Sequence, residues 1–371
     1  MNVTAAVINQ TNAPYQLEEL QLSHLQPDEV KVKVVASGIC HSDEAVRVGD
    51  GPYTFPAVLG HEGAGIVEEV GSAVKGVKPG DHVVMSYAWC GHCPQCRHGH
   101  PSLCHDWIPL NEGGFRPDGS AIFSKKDGTP VANFFSQSSF ATHTLTKFHN
   151  LIVLDKKMDL RLAAPLGCGL LTGAGTVFNG LKPAAGSTIA IFGTGAVGLG
   201  AMMAAKIAGC KTIVAVDIHD SRLELARSLG ATHTINSKQQ DALAVIKSLT
   251  QNDGVSASVD TTGQSAVMKT ALDVLAIGGT LAPVAVTRHD ISFNTMRDLV
   301  ASSRRMIGVL MGDAVPQTSI PQLIDYHQRG LFPIEKLVKF YDFSDINQAS
   351  QDSASGATIK PVLILDKSYR P

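Results

Sequence analysis

Four cysteines stand close together as Cys90-x2-Cys93-x2-Cys96-x7-Cys104. Zn²⁺ takes four sulfurs in a closed tetrahedron, and two-residue spacers let one turn aim adjacent thiolates at one ion. Gly91, Pro94 and Gly99 supply the turn chemistry. A closed set of this kind has no open coordination position, so its role would be structural. The same spacing also admits an iron–sulfur cluster or unligated thiols. A second group is dispersed: Cys40 in Gly-Ile-Cys-His-Ser-Asp, His61 in Gly-His-Glu-Gly, and Cys168 in Leu-Gly-Cys-Gly. A Cys, a His and a Cys brought from separate loops would leave the fourth position for water or substrate, the arrangement of a catalytic zinc. Singly, each residue is weak evidence, since a lone Cys168 between glycines is more often packing than ligand and a lone His61 is often a hydrogen-bonded loop residue.

A third signal is Gly193-Thr194-Gly195-Ala196-Val197-Gly198, which follows an apolar strand pattern and opens a helix. In that context Gly193 permits the tight turn, Gly195 lets backbone approach a pyrophosphate, and Gly198 lets helix and strand pack closely. Val197 lies inside the loop, and the helix N-terminus faces the phosphates. Asp217 ends the next strand pattern about 20 residues on, where a carboxylate accepts from ribose hydroxyls and repels a 2′-phosphate. This favours NAD over NADP; Arg222, one turn later, is the residue able to contact a phosphate.

These residues need two kinds of scaffold. Residues 28–36 alternate charge with valine, and 64–70 and 81–85 are strand-like, separated by Gly71-Ser72 and Pro79-Gly80. Long amphipathic helices are missing from this part, which reads as an irregular β-rich domain. Beyond about residue 160, strands at 189–192, 212–216, 232–235, 257–259 and 279–284 alternate with helices, including 221–229 before Gly230. That alternation predicts a doubly wound parallel sheet, an α/β Rossmann domain. A helix at 320–329 and a strand at 360–364 complete the pattern. The expected boundaries are 1–165 with 306–371 for the zinc-binding domain, and 166–305 for the dinucleotide-binding domain.

Composition limits the alternatives. The 371 residues are 44% hydrophobic and 17% charged, with a net charge of −2. A general nucleic-acid binder would show a basic excess, so a nucleic-acid role for the cysteine knuckle is disfavoured. The N-terminal residues carry no basic segment followed by an apolar one, unlike a secretory signal. The apolar stretch 189–205 is punctuated by Gly193, Gly195, Gly198 and Gly200, which favours a buried strand–turn–helix over a membrane span. An odd cysteine count, seven, crowded into one cluster, favours metal ligands in a reducing compartment over disulfides. The expected location is cytoplasmic, with no membrane and no nucleic-acid partner.

Taken together, the run Gly-His-Glu-x2-Gly-x5-Gly-x2-Val over 60–74, the Gly-Ile-Cys-His-Ser-Asp segment, the four-cysteine lobe and Gly-Cys-Gly resemble the zinc-dependent medium-chain alcohol dehydrogenases. The resemblance spans essentially the whole chain. It implies a GroES-like catalytic domain beside the Rossmann domain, and NAD with two zinc ions per chain. Cys40, His61 and Cys168 would hold the catalytic ion, and Cys90, Cys93, Cys96 and Cys104 the structural one. The implied reaction is hydride transfer between an alcohol carbon and nicotinamide, held in a cleft between the domains. Ser42 would bond the substrate oxygen, Asp43 would fix the tautomer of His61, and Glu62 would assist ligand exchange. Lys360 and His41 match positions that contact pyrophosphate. Ala45 departs from the pattern, since many members carry a histidine there that ends a proton relay; water or His41 would have to substitute.

Local features from Gly308 through Gly312-Asp313, Ile320-Pro321, Phe332-Pro333 and Ile346-Asn347-Gln348-Ala349 to Thr358-Ile359-Lys360-Pro361 look closest to the aryl-alcohol (benzyl alcohol) branch. Substrates would then be benzyl-type or allylic primary alcohols and their aldehydes. Trp89, Tyr53, Met311 and Leu310 are candidate walls of the pocket. The alternatives are a broad aliphatic primary-alcohol dehydrogenase and a glutathione-adduct formaldehyde dehydrogenase. Family resemblance further implies a homodimer or homotetramer.

Overall fold

A computed structural model describes residues 1–287 and 290–371. The chain divides into two compact units. One comprises Met1–Cys168, Val315–Asp325 and Ile334–Pro371; the other comprises Gly169–Ala314 and Tyr326–Pro333. The break therefore comes at Cys168 rather than 165, and the second unit extends beyond 305. The later boundary is set by strand pairing and ring packing. Arg305–Met306 pairs in parallel with Leu275–Pro283, adding an edge strand too short to show a period in sequence. The Tyr326 ring then packs on Phe178, 6.0 Å between centroids, which holds residues 326–333 to the second unit.

The second unit carries a wholly parallel sheet. Among the described residues its order is His233–Asn236, Thr212–Asp217, Thr188–Phe192, Val255–Asp260, Leu275–Pro283, Arg305–Met306. The first strand in sequence lies inside the sheet and the order reverses beside it, the Rossmann topology with its switch point at the C-terminal end of Thr188–Phe192. Parallel strands are covered on both faces, so they read as continuous apolar runs. Phe192, Val214, Val216, Ile246, Leu272 and Leu281 form one buried cluster. The apolar stretch 189–205 resolves into the strand Thr188–Phe192 and the helix Ala196–Ile207. Among the described residues no single helix is long and apolar enough to cross a membrane.

The first unit is β-rich, and no helix before residue 160 exceeds the 7 residues of His41–Arg47. Asn2–Ile8, Gln16–Leu22, Phe123–Ser124, Pro130–Asn133 and Ala57–Val58 close into a small barrel. A second sheet runs Leu151–Leu154, His82–Met85, Glu62–Val70, Glu29–Gly38, Lys360–Ile364, Val338–Asp342, with His143–Lys147 also pairing with Glu29–Gly38. The alternation at 28–36 has its expected cause. Val30, Val32 and Val34 point into a core with Val67, Val83 and Met85, while the lysines between them are only half-buried. Lys360–Ile364 enters the centre of this sheet from the far end of the chain and pairs antiparallel with the end of Glu29–Gly38. That long-range pairing carries Lys360 to the same place as Cys40 and Glu62.

Candidate active site

The end of Glu29–Gly38 delivers Cys40, which serves as N-cap of the helix His41–Arg47. The start of Glu62–Val70 delivers His61, and Cys168 follows the short turn Ala164–Gly167. The Sγ of Cys40, a ring nitrogen of His61 and the Sγ of Cys168 all lie within 4.8 Å of one another. Asp43 is fully buried. It accepts the N–H of Cys40 at 2.9 Å and of Gly60 at 3.0 Å, and its Oδ1 lies 3.0 Å from His61 Nδ1. The carboxylate thus holds the Nδ1–H tautomer and leaves the Nε2 lone pair free. His61 Nε2 is buried without a hydrogen-bond partner. A buried acceptor of that kind is costly unless a ligand satisfies it, and with two sulfurs beside it the donor set fits a zinc ion. The Cys40 thiol is held well below its ordinary value, chiefly by the hydrogen bond from Cys168. Ser42 Oγ is 4.0 Å from Cys40 Sγ. His41, the first residue of its helix, is exposed, and Ala45 is buried on the same helix.

Lys360 differs from expectation. It is only 2% exposed, and its Nζ donates to the Ile39 carbonyl at 3.0 Å and to both oxygens of Glu62 at 3.0 and 2.9 Å. An ammonium has three donors, so all three point into the protein rather than toward a pyrophosphate. Burial pushes Glu62 up to about 7 against the pull of Lys360. Burial opposes the charge on Lys360 too, but Glu62 and the sulfur of Cys40 outweigh it and hold its value above the ordinary one. Glu62 therefore faces a charged partner. A Cβ added at Gly38 would overlap Glu62 Oε2. Gly38→Ala is expected to part this buried pair and lower stability by ~2 kcal/mol, measured as a fall in Tm; an unchanged Tm would show that the pair can relocate freely.

The four-cysteine lobe is equally well formed. Its four Sγ atoms lie within 4.8 Å of one another, with Cys90 and Cys96 3.9 Å apart. The helix Pro94–Arg97 begins with its proline in the first turn. The N–H of Cys93 donates to Cys90 Sγ and that of Cys90 to Cys104 Sγ, both at 3.3 Å. Burial raises the thiols of Cys96 and Cys104, while the backbone N–H groups of Cys96 and His105 pull that of Cys93 down to about 6. Such donors stabilise thiolates, as a closed zinc site requires. His92 and Asp106 approach Cys90 as well, but that grouping shares the sulfur of the lobe.

In the second unit the glycines behave as their spacing predicts. Gly193 has φ +89°, and a Cβ there would overlap Thr261 Oγ1; a Cβ at Gly198 would overlap the Gly193 carbonyl. At Gly195 nothing lies within 4 Å of an added Cβ, so this is the open face of the turn. Gly195 caps the helix Ala196–Ile207 without a side-chain hydrogen bond, leaving backbone N–H groups for an anion. Val197 is half-buried in the first turn. Asp217 closes its strand, but its carboxylate is already engaged. Oδ2 accepts from the N–H and hydroxyl of Thr194, both at 2.7 Å, and Oδ1 from the N–H of Ile218 at 2.7 Å and of His219 at 3.0 Å. Burial raises its pKa, and these bonds more than reverse the effect, so the group stays ionised. A ribose hydroxyl would have to take the place of Thr194 Oγ1. Arg222 is half-buried in the first turn of Asp220–Leu229.

Sequence reasoning missed the residues that face His61. Phe135 and Phe134 pack on its ring at 4.7 and 5.2 Å, and Tyr53 packs edge-on against Phe134 at 5.7 Å. Adjacent residues on a regular strand face opposite ways. Here Phe135 adopts φ +53°, which turns both rings to one side. The adjacent Phe-Phe pair was the only signal, and its backbone conformation is not legible from residue type. Of the expected walls, Tyr53 belongs to this cluster, whereas Trp89 packs on His149 at 5.4 Å. In the second unit Met311 is buried and Leu310 exposed.

Comparison with known proteins agrees with this geometry. The alcohol dehydrogenase GroES-like domain matches residues 26–142, and the zinc-binding dehydrogenase domain matches residues 196–328. A geraniol dehydrogenase of Castellaniella defragrans is 40% identical over 368 residues, 98% of each chain. Among solved structures, a zinc-binding alcohol dehydrogenase domain protein from Burkholderia ambifaria superposes with a TM-score of 0.96 at 46% identity, covering 99% of each chain. Benzyl alcohol dehydrogenase from Acinetobacter calcoaceticus gives a TM-score of 0.95 at 42% identity, covering 99% of this chain and 100% of the other. With its GroES-like and Rossmann units and its two clusters of zinc-type ligands, the chain belongs to the zinc-dependent medium-chain alcohol dehydrogenases, whose cofactors are zinc and NAD.

Proposed function

We propose that the enzyme interconverts primary aromatic (benzyl-type) or allylic alcohols and their aldehydes, with NAD as hydride acceptor. This reading is carried by an aromatic cluster, Phe134 and Phe135 against the His61 ring with Tyr53 behind them, which we take as the substrate-facing wall. Flat rings reward a flat, apolar substrate through offset and edge-on contacts. The similarity to proteins named for geraniol and benzyl alcohol, both primary alcohols with adjacent unsaturation, supports it.

Cys40, His61 and Cys168 would hold the catalytic zinc, and Cys90, Cys93, Cys96 and Cys104 the structural one. Bound there, the catalytic ion supplies Lewis acidity that brings the pKa of an alcohol toward neutrality. Asp43 keeps the proton of His61 on Nδ1. The Ser42 hydroxyl, beside Cys40, accepts the substrate proton at Oγ and passes its own outward. Ala45 cannot take it further, so water or the exposed His41 does. The open face at Gly195 and the N-terminus of Ala196–Ile207 take the pyrophosphate, and the Asp217 carboxylate excludes a 2′-phosphate.

The test is kcat/KM for benzyl alcohol and ethanol, each with NAD and NADP, on zinc-replete enzyme. Burying a phenyl ring predicts a benzyl preference of about 100-fold. Equal or better ethanol turnover would overturn the aromatic assignment.

A further inference from the structure

Gln137 is fully buried, yet the zinc ligands and the aromatic wall leave it no chemical task. Its side chain joins three segments. Nε2 donates to the carbonyl of His61 at 3.0 Å and to that of Ser86 at 3.1 Å. Oε1 accepts the N–H of Gly63 at 3.2 Å. The hydroxyl of Ser86 in turn donates to the carbonyl of Gly167 at 2.7 Å, next to Cys168. One amide therefore ties the backbone on either side of Glu62, starting at the ligand His61, to the segment that restrains the ligand Cys168.

The same residue anchors the wall. Its own carbonyl accepts the Thr144 hydroxyl, and its N–H donates to the carbonyl of Phe134 at 3.1 Å. Phe135, Ser136 and Ser138 around it have φ of +53°, +50° and +46°. Non-glycine residues hold such angles only where their surroundings over-determine them. Ser138 Oγ donates to Val58 O and accepts from Phe134 N, both at 2.8 Å, and Ser136 Oγ donates to Leu110 O at 2.6 Å. Gly63 leaves little slack, since a Cβ there would overlap the Cβ of Ser139 as well as Met85 Cε.

We infer that Gln137 is a positioning residue that fixes the metal-binding face of His61 and the Phe134–Phe135 wall relative to each other, and so sets which alcohols are accepted. The role requires an amide. Its two donor protons meet two carbonyls and its oxygen meets one N–H, so a carboxylate would set lone pairs against lone pairs and a thioether would leave three buried groups unpaired. The inference rests on the zinc-site reading above, but not on which alcohol the wild type prefers.

The experiment compares Gln137→Met and Gln137→Glu with Ser258→Ala, a control that removes a buried hydrogen bond to the Ala271 carbonyl in the second unit. For each holoenzyme the benzyl alcohol-to-ethanol ratio of kcat/KM, the Tm and the hydrogen exchange of the Gly63 amide are measured. The Gln137 variants are expected to change the ratio and to quicken Gly63 exchange, each by about tenfold, whereas Ser258→Ala lowers Tm alone. A ratio and an exchange rate within about twofold of wild type, with only Tm reduced, would overturn the inference. Should neither Gln137 variant fold, exchange in the wild type decides. A protected Gly63 amide is expected, and exchange as fast as an exposed loop would show the clamp does not exist. A wild type that prefers ethanol would refute the aromatic reading and leave this test intact.

Discussion

In the His61→Ala enzyme, alcohol oxidation is expected to fall by at least about a thousandfold, because the several kcal/mol of charge stabilisation supplied by a bound metal are lost. The imidazole contributes the one uncharged ligand atom of its cluster, and that atom has no other partner. Its removal leaves two sulfurs that cannot close a site, and leaves Asp43 buried with one of its partners missing. The four-cysteine lobe shares no residue with this cluster. Metal analysis should therefore show zinc falling from two ions per chain to one, with the remaining ion resistant to mild chelation. Two retained ions and near-normal turnover would mean that the dispersed cluster is not the catalytic site.

Asp217→Ala is expected to raise the KM for NAD by about 100-fold, the scale set by losing charge-assisted hydrogen bonds at a buried carboxylate. Two causes can be separated. The carboxylate accepts from Thr194, Ile218 and His219, so removing it loosens the glycine turn and should weaken both cofactors alike. Its negative charge acts on NADP alone, because only that cofactor carries the 2′-phosphate. If charge sets the preference, the KM for NADP rises much less than that for NAD and the discrimination narrows by about tenfold or more. Equal increases for both cofactors would reduce Asp217 to a support of the turn and place cofactor selection elsewhere, with Arg222 next to be tested.

Much of this protein was legible in residue type and spacing. Zinc sites are dictated by ligand chemistry, so Cys90, Cys93, Cys96 and Cys104 announce their cluster through spacing that a single turn can satisfy. Nucleotide turns are dictated by backbone sterics, so Gly193, Gly195 and Gly198 announce theirs, and the fold gives each glycine the environment its position required. The parallel sheet followed from apolar runs alternating with helices. Each of these is a local property, fixed by neighbours in sequence.

What tertiary structure decided has no local cause. Lys360 reaches Glu62 and Ile39 only because Lys360–Ile364 pairs with the end of Glu29–Gly38; in sequence it is a basic residue near the terminus, free to be assigned to a phosphate. Phe134 and Phe135 face His61 together only because Phe135 is held left-handed by contacts made far away in the chain. The unit boundary moved because a two-residue edge strand gains its hydrogen bonds from a neighbour rather than from any pattern of its own. The chemistry could be read from residue type alone, because ligand atoms and glycine turns are intrinsic to residues and their spacing. The fold decided the pairing of buried charges and the shape of the wall beside His61, because both depend on which distant segments share one dry interior.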